Sequence, residues 1–108
     1  MNKIFERTEF IIGKESMRIL SNATVAIFGI GGVGSFAAEA LTRSGVGRLI
    51  LIDYDIIDIT NINRQVHATT KTIGKDKVEA MKDRLLDINN DVDIIIYKEK
   101  YNHDTKGY

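Results

Sequence analysis

Cysteine and proline are both missing from these 108 residues. Without cysteine the chain has no disulfide, no thiolate metal site and no cysteine nucleophile. No linker, low-complexity tract or internal repeat accompanies the missing proline. An excess of either charge is missing too, because 15 basic and 15 acidic side chains balance. A neutral chain has no global field to draw in nucleic acid, which leaves a local basic patch as the route to such a partner. No apolar run approaches the roughly 20 residues a membrane span needs. The opening "MNKIFERTEF" lacks the apolar core of a signal peptide. These absences lead to the expectation of a cytoplasmic protein with no membrane partner. What is present, 44% hydrophobic and 28% charged residues, is the ordinary mixture of one globular domain with a real core.

Hydrophobic periodicity organises the chain. "KESMRILS" (14–21) is a weakly amphipathic helix, and "ATVAIF" (23–28) is an apolar, β-branched run ended by glycine, which predicts a buried strand. "GSFAAEALTRS" (34–44) places Ala37, Ala38 and Leu41 at helical spacing, and the "GVG" beyond it is a helix stop. "RLILID" (48–53) predicts a second buried strand. The stretch from Tyr54 to Gly74 is irregular, with a short helix near "NINRQ". Val78, Met81, Leu85 and Ile88 form one stripe of a helix over 75–89, and "VDIIIYKEKY" (92–101) predicts a third strand. The order β-α-β-α-β predicts a Rossmann-like α/β fold, the N-terminal portion of a doubly wound, mainly parallel sheet.

Between the first strand and its helix stands "FGIGGVGS", with Gly29, Gly31 and Gly34 on the G-x-G-x-x-G spacing and Gly32 between them. A helix that starts here presents N–H groups and a partial positive charge to an anion. Glycine permits the tight turn and a close backbone approach to phosphate. An acidic residue about 20 positions further on, at the end of the next strand, usually holds a ribose, and Asp53 stands there. Strand, helix and acid in register point to a nucleotide, although the motif alone does not separate NAD from ATP. The following loop is rich in polar groups, Asn61, Asn63, Arg64 and Gln65. A triphosphate needs cations where charge moves onto a leaving pyrophosphate. Arg64 and Lys77 supply two, Lys77 on a helix start whose dipole a cation opposes. His67 has no serine or cysteine nucleophile beside it and reads as a loop-packing residue, so no catalysis is assigned to it.

The run "VAIFGIGGVGSFAAEALTRSGVGRLILIDYDIIDITNINRQVHA", followed by "TIGKDKVEAMKDRLLDIN", closely resembles the ThiF/MoeB/HesA superfamily of ubiquitin-activating-type adenylating enzymes. The resemblance extends from about Phe5 to Tyr97, and makes residues 1–108 the N-terminal part of a ThiF-type ATP-binding adenylation domain. "TNINRQVHA" looks like the branch that dehydrates threonylcarbamoyladenosine in tRNA. The sulfur-carrier-activating branch tends to carry leucine-glutamine before the arginine, where this chain has Ile62-Asn63.

The resemblance implies ATP and Mg2+ as cofactors. It places Gly29, Gly31, Gly32 and Gly34 in the phosphate loop, Asp53 on the ribose with Asp55 completing a D-x-D, Asn61 and Arg64 in a polar ATP-contacting loop with Arg64 on the phosphates, and Lys77 at the lysine that follows G-x-P in many members. Asp76 stands where many members have proline before that lysine, which makes Lys77 the less secure of the two cations. Arg7 matches an N-terminal arginine that reaches the neighbouring subunit's ATP site, so a homodimer is expected. Arg64, Lys77 and Arg7 are thus the candidate catalytic residues, and no metal ligand is assigned. The implied reaction is attack of a substrate carboxylate, on modified tRNA, at the α-phosphorus of ATP. Adenylation of a sulfur-carrier protein's C-terminus and a NAD-binding half-domain are the alternatives. Superfamily members continue well past Tyr108, where their metal-binding aspartate lies.

Overall fold

The computed structural model describes residues 3–5 and 10–99. Helix α1 (Lys14–Ser21) leads into strand β1 (Thr24–Phe28), helix α2 (Gly32–Ser44), strand β2 (Arg48–Ile52), helix α3 (Lys77–Ile88) and strand β3 (Asp93–Tyr97). The strands form one parallel sheet in the order β1-β2-β3. This is the expected Rossmann-like portion, and the register explains its core. Val25, Leu49 and Ile94 stand side by side, as do Ile27, Leu51 and Ile96. Because alternate residues face one side of a strand, these two rows share a face. They pack with Ala38 of α2 and with Val78, Met81 and Leu85 of α3. Each large side chain removed from water there contributes about 1.5–3 kcal/mol. Glu39 of α2 receives Arg84 Nε of α3 at 2.5 Å, with Arg43 also beside it. The Arg84 hydrogen bond, and then the charges of both arginines, hold the Glu39 carboxyl below its usual range.

One expectation changes. "ATVAIF" predicts a buried strand, but Thr24, Ala26 and Phe28 are exposed and Val25 and Ile27 only half-buried. The reason is position: β1 is an edge of this sheet, whereas β2 at the centre buries Leu49, Leu51 and Ile52. The opposite face, with Ala26, Ile50 and Ile95, is exposed or half-exposed. Boundaries shift as well. Helix α2 starts two residues before Gly34, α3 starts at Lys77, and the short helix near "NINRQ" is a 3-10 turn at Ile59–Asn61. The predicted third strand ends at Tyr97.

The helix stop at "GVG" has two separate physical bases. Gly45 ends α2 at φ 102°, a left-handed conformation cheap only for glycine. Its neighbour Val46 then donates to Leu41 O at 3.1 Å. Gly47 is needed for closeness: a Cβ there would lie 1.9 Å from Ser21 O, at the end of α1. That approach lets Gly47 N–H bond Leu20 O at 3.1 Å while Gly47 O accepts from Asp93 N–H at 3.0 Å. The whole lower edge of the sheet meets at this residue. Gly47→Ala is expected to destabilise the fold by about 1–3 kcal/mol, as overpacking does, and urea denaturation checks it.

Candidate functional site

The carboxyl ends of the parallel strands carry the candidate site, where open α/β sheets bind ligands. β1 runs into Gly29, whose φ of 90° turns the chain sharply, and Gly29 N–H donates to Ile52 O at 2.8 Å. Gly34 lets the turn fold back on itself, because a Cβ there would stand 1.9 Å from Gly29 O. Gly31 precedes the first turn of α2, and no side chain caps that end. The leading N–H groups of α2 therefore remain available to an anion.

Ile30 holds this turn in place. Its side chain is fully buried, and both of its backbone polar groups meet side chains from distant parts of the chain. Ile30 N–H donates to Asp53 Oδ2 at 2.6 Å, and His67 Nε2 donates to Ile30 O at 2.7 Å. The other Asp53 oxygen accepts from Asp55 N–H at 2.8 Å. Asp53 N–H donates to Tyr97 O at 3.1 Å, carrying the ladder past the end of β2. Asp53 is buried at 8% exposure, and charge-assisted bonds of this kind contribute about 1.5–3 kcal/mol each.

The expected polar loop lies over the turn. Val66 N–H donates to the buried Ser35 Oγ at 3.3 Å. A Cβ on Gly32 would meet Arg64 O at 3.8 Å and Arg64 Cγ at 3.9 Å, and one on Gly31 would meet Gln65 Nε2 at 3.9 Å. Arg64 thus lies along Gly32, with its Nη1 donating to Thr60 O at 2.9 Å and Asn63 Oδ1 at 3.1 Å. Asn61 is buried and closes a capping box: its Oδ1 accepts from Asp58 N–H at 2.8 Å. Lys77 is buried at 7% exposure, opens α3, and has its Nζ 3.8 Å from Asp55 Oδ2. Lys77 N–H also donates to Asp55 O at 3.0 Å. Lys77 and Asp53 are both near enough to act on His67.

The structure therefore gathers Gly29, Gly31, Gly32 and Gly34 with Asp53, Asp55, Arg64 and Lys77 around one turn, with Asn61 shaping the loop above it. Arg7 lies outside the described residues. Sequence reasoning passed over Ser35 and read His67 as a loop-packing residue, without its bond to the turn. No spacing signal exists for them, since His67 is 37 residues from Ile30 and Ser35 is 31 from Val66. Among the described residues no three or more His, Asp or Glu side chains are grouped to hold a metal ion.

Sequence comparison decides the family. A profile described as "ThiF family" matches residues 5–106. The chain belongs to the ThiF family. Within this family it is 55% identical over 101 residues to a Bacillus subtilis protein called tRNA threonylcarbamoyladenosine dehydratase, covering 94% of this chain and 40% of that one. The structure of the Escherichia coli tRNA N6-threonylcarbamoyladenosine dehydratase in complex with ATP superposes with a TM-score of 0.92 at 37% identity. It covers 94% of this chain and 42% of that one. A ubiquitin-like modifier-activating enzyme 5 of Caenorhabditis briggsae is 47% identical over 78 residues, covering 72% of this chain and 18% of that one. The chain thus spans less than half of the length of each of these ThiF-type relatives. No described helix is long and apolar enough to cross a membrane.

The buried imidazole sets a pH dependence. Burial, first, pushes His67 below its usual value of 6.5, the Ile30 carbonyl and Asp53 pull it back up, and Lys77 and Arg84 push it down. Above about pH 6.5 the ring is neutral in the folded and unfolded chains alike. Below that, the unfolded chain binds a proton that the folded ring refuses, so stability falls as pH falls from about 6.5 toward the lowered folded value. Thermal melts of the wild type and His67→Gln from pH 7.5 to 5 are expected to show this extra acid-side loss in the wild type alone.

Proposed function

We propose that residues 1–108 form the N-terminal, ATP-binding part of an adenylating enzyme that dehydrates threonylcarbamoyladenosine in tRNA. The observation that carries the nucleotide reading is the Ile30 clamp. It fixes a glycine turn below an uncapped helix start, with an acid and two cations around it. The ATP complex of the Escherichia coli relative supports the choice of nucleotide, and the dehydratases of Bacillus subtilis and Escherichia coli support the substrate.

The cradle fits a nucleotide. Side chains on Gly31 or Gly32 would occupy the space between the turn and the loop of residues 64–65, and the first N–H groups of α2 suit phosphate oxygens. Each Asp53 oxygen uses one lone pair on a backbone N–H and keeps another for a ribose hydroxyl. Lys77, beside Asp55, and Arg64 draw negative charge toward the outer phosphates. That is where charge collects when a carboxylate oxygen bonds to the α-phosphorus and the bond to pyrophosphate breaks. A nucleophilic atom of the same modification then attacks the activated acyl carbon and AMP leaves. This ring closure gains from tethering and needs no enzyme cysteine. Mg2+ accompanies the triphosphate in this reading, and the described residues act on the phosphates through N–H groups and cations. A cytoplasmic homodimer belongs to this reading, with Arg7 as the residue proposed to serve the neighbouring subunit's site.

Two measurements test the reading. ATP is expected to bind more tightly than NAD in calorimetry of the complete protein, and Asp53→Ala to weaken ATP by about tenfold to a hundredfold, the loss of one charge-assisted hydrogen bond. Tighter NAD binding would make this an oxidoreductase half-domain. With ATP and threonylcarbamoyl-modified tRNA, mass spectrometry is expected to show loss of one water from the modified adenosine. An unchanged nucleoside, together with ATP–pyrophosphate exchange driven by a sulfur-carrier protein, moves the assignment to that branch.

A further inference from the structure

We infer that His67 is a positioning residue of the nucleotide turn, holding the Ile30–Gly31 peptide with its carbonyl inward and the Gly31 N–H toward the mouth of the site. The inference rests on the nucleotide reading above.

Its basis is the planarity of the peptide unit. In a trans amide the C=O and the N–H point in opposite directions, and no peptide among the described residues is cis. Ile30 O is bound by a histidine only 2% exposed. The Gly31 N–H on the same plane therefore points away from that buried ring, out of the protein interior. If the plane rotated by half a turn, a carbonyl oxygen would replace an N–H where phosphate is expected. A partial negative charge would then face an anion. Glycine at position 31 has no Cβ to resist such a rotation, so a separate restraint is required. The preceding plane, Gly29–Ile30, is restrained by Asp53. His67 supplies the restraint for the next.

The chemistry of the ring makes this restraint specific. A carbonyl oxygen only accepts, so Nε2 must carry the hydrogen. Nδ1 is then a bare acceptor, and it is buried without a hydrogen-bond partner. A proton there would place a charge in the interior with nothing to receive its hydrogen bond. The clamp therefore operates with one tautomer of the neutral ring. Glutamine places its amide N–H2 near the Nε2 position, whereas asparagine reaches only to the Nδ1 position. The pair His67→Gln and His67→Asn therefore separates the donor from the packing of the ring.

The test uses the complete protein labelled with 15N at histidine. Two-bond 1H–15N spectra at pH 7.5 are expected to show the Nε2–H tautomer of His67. His67→Asn is expected to lose more thermal stability than His67→Gln, because only the asparagine variant leaves Ile30 O unpaired. Calorimetry is expected to give His67→Gln an ATP affinity within about threefold of wild type and His67→Asn a loss of about tenfold or more, one hydrogen bond's worth. The Gly31 amide resonance shifts in the asparagine variant only. An Nδ1–H tautomer overturns the inference. So do equal ATP losses in the two variants, which would mark His67 as packing alone, and wild-type affinity in His67→Asn. A wild-type protein that binds no ATP overturns the nucleotide reading itself, a result distinct from failure of the clamp in a protein that binds it.

Discussion

The site depends on keeping two consecutive peptide planes fixed in a segment made largely of glycine. Three restraints of different kinds meet on Ile30: burial of its side chain, a carboxylate on its N–H and an imidazole on its C=O. A turn of this composition has high conformational entropy when free, and a local hydrogen bond would not hold it. The restraints come from the end of β2 and from the loop before α3, so the turn is rigid only once the sheet and loop are assembled. Its geometry is a tertiary property, although its residues are adjacent in sequence.

The charges follow the same logic. Lys77 begins a helix, where its charge opposes the helix dipole, and it is nearly buried. Both costs are met by Asp55, which contributes its carboxylate and its backbone carbonyl to the same residue. Asp76 at the start of α3 does not cap that helix with its side chain. It pairs with Lys98 at 3.2 Å instead, and Lys98 also meets Glu79 at 2.6 Å. Hydrogen bonding to both carboxylates, Glu79 first, raises the Lys98 ammonium above its usual range. Acid and base are thus sorted into local pairs in a chain of zero net charge.

Much of this was legible in the sequence where local pattern and tertiary structure agree. The stripe Val78, Met81 and Leu85 is buried as its spacing requires, and the glycine turn with Asp53 after the next strand is placed by period and distance along the chain. Two features were not legible. Thr24, Ala26 and Phe28 look like core because apolar content does not reveal whether a strand has neighbours on both sides. His67 and Ser35 join the turn by contacts that no periodicity encodes. Asn61 is intermediate. Asp58 and Asn61 stand at capping-box spacing, so the structural duty of Asn61 was readable beside its assignment as a ligand contact.

The parallel register has a consequence for how the molecule assembles. Arg48 pairs with Asp93, 45 residues on, whereas Thr24 finds Arg48 across about half that separation. Closing the longer loop costs more chain entropy, by about 0.6 kcal/mol for a doubling. The β1-α2-β2 unit, carrying the glycines and Asp53, is therefore expected to form ahead of β3, which higher φ-values at Val25 and Leu49 than at Ile94 would show. His67 and Lys77 arrive with the later unit. The glycine turn is made early and acquires its final rigidity last.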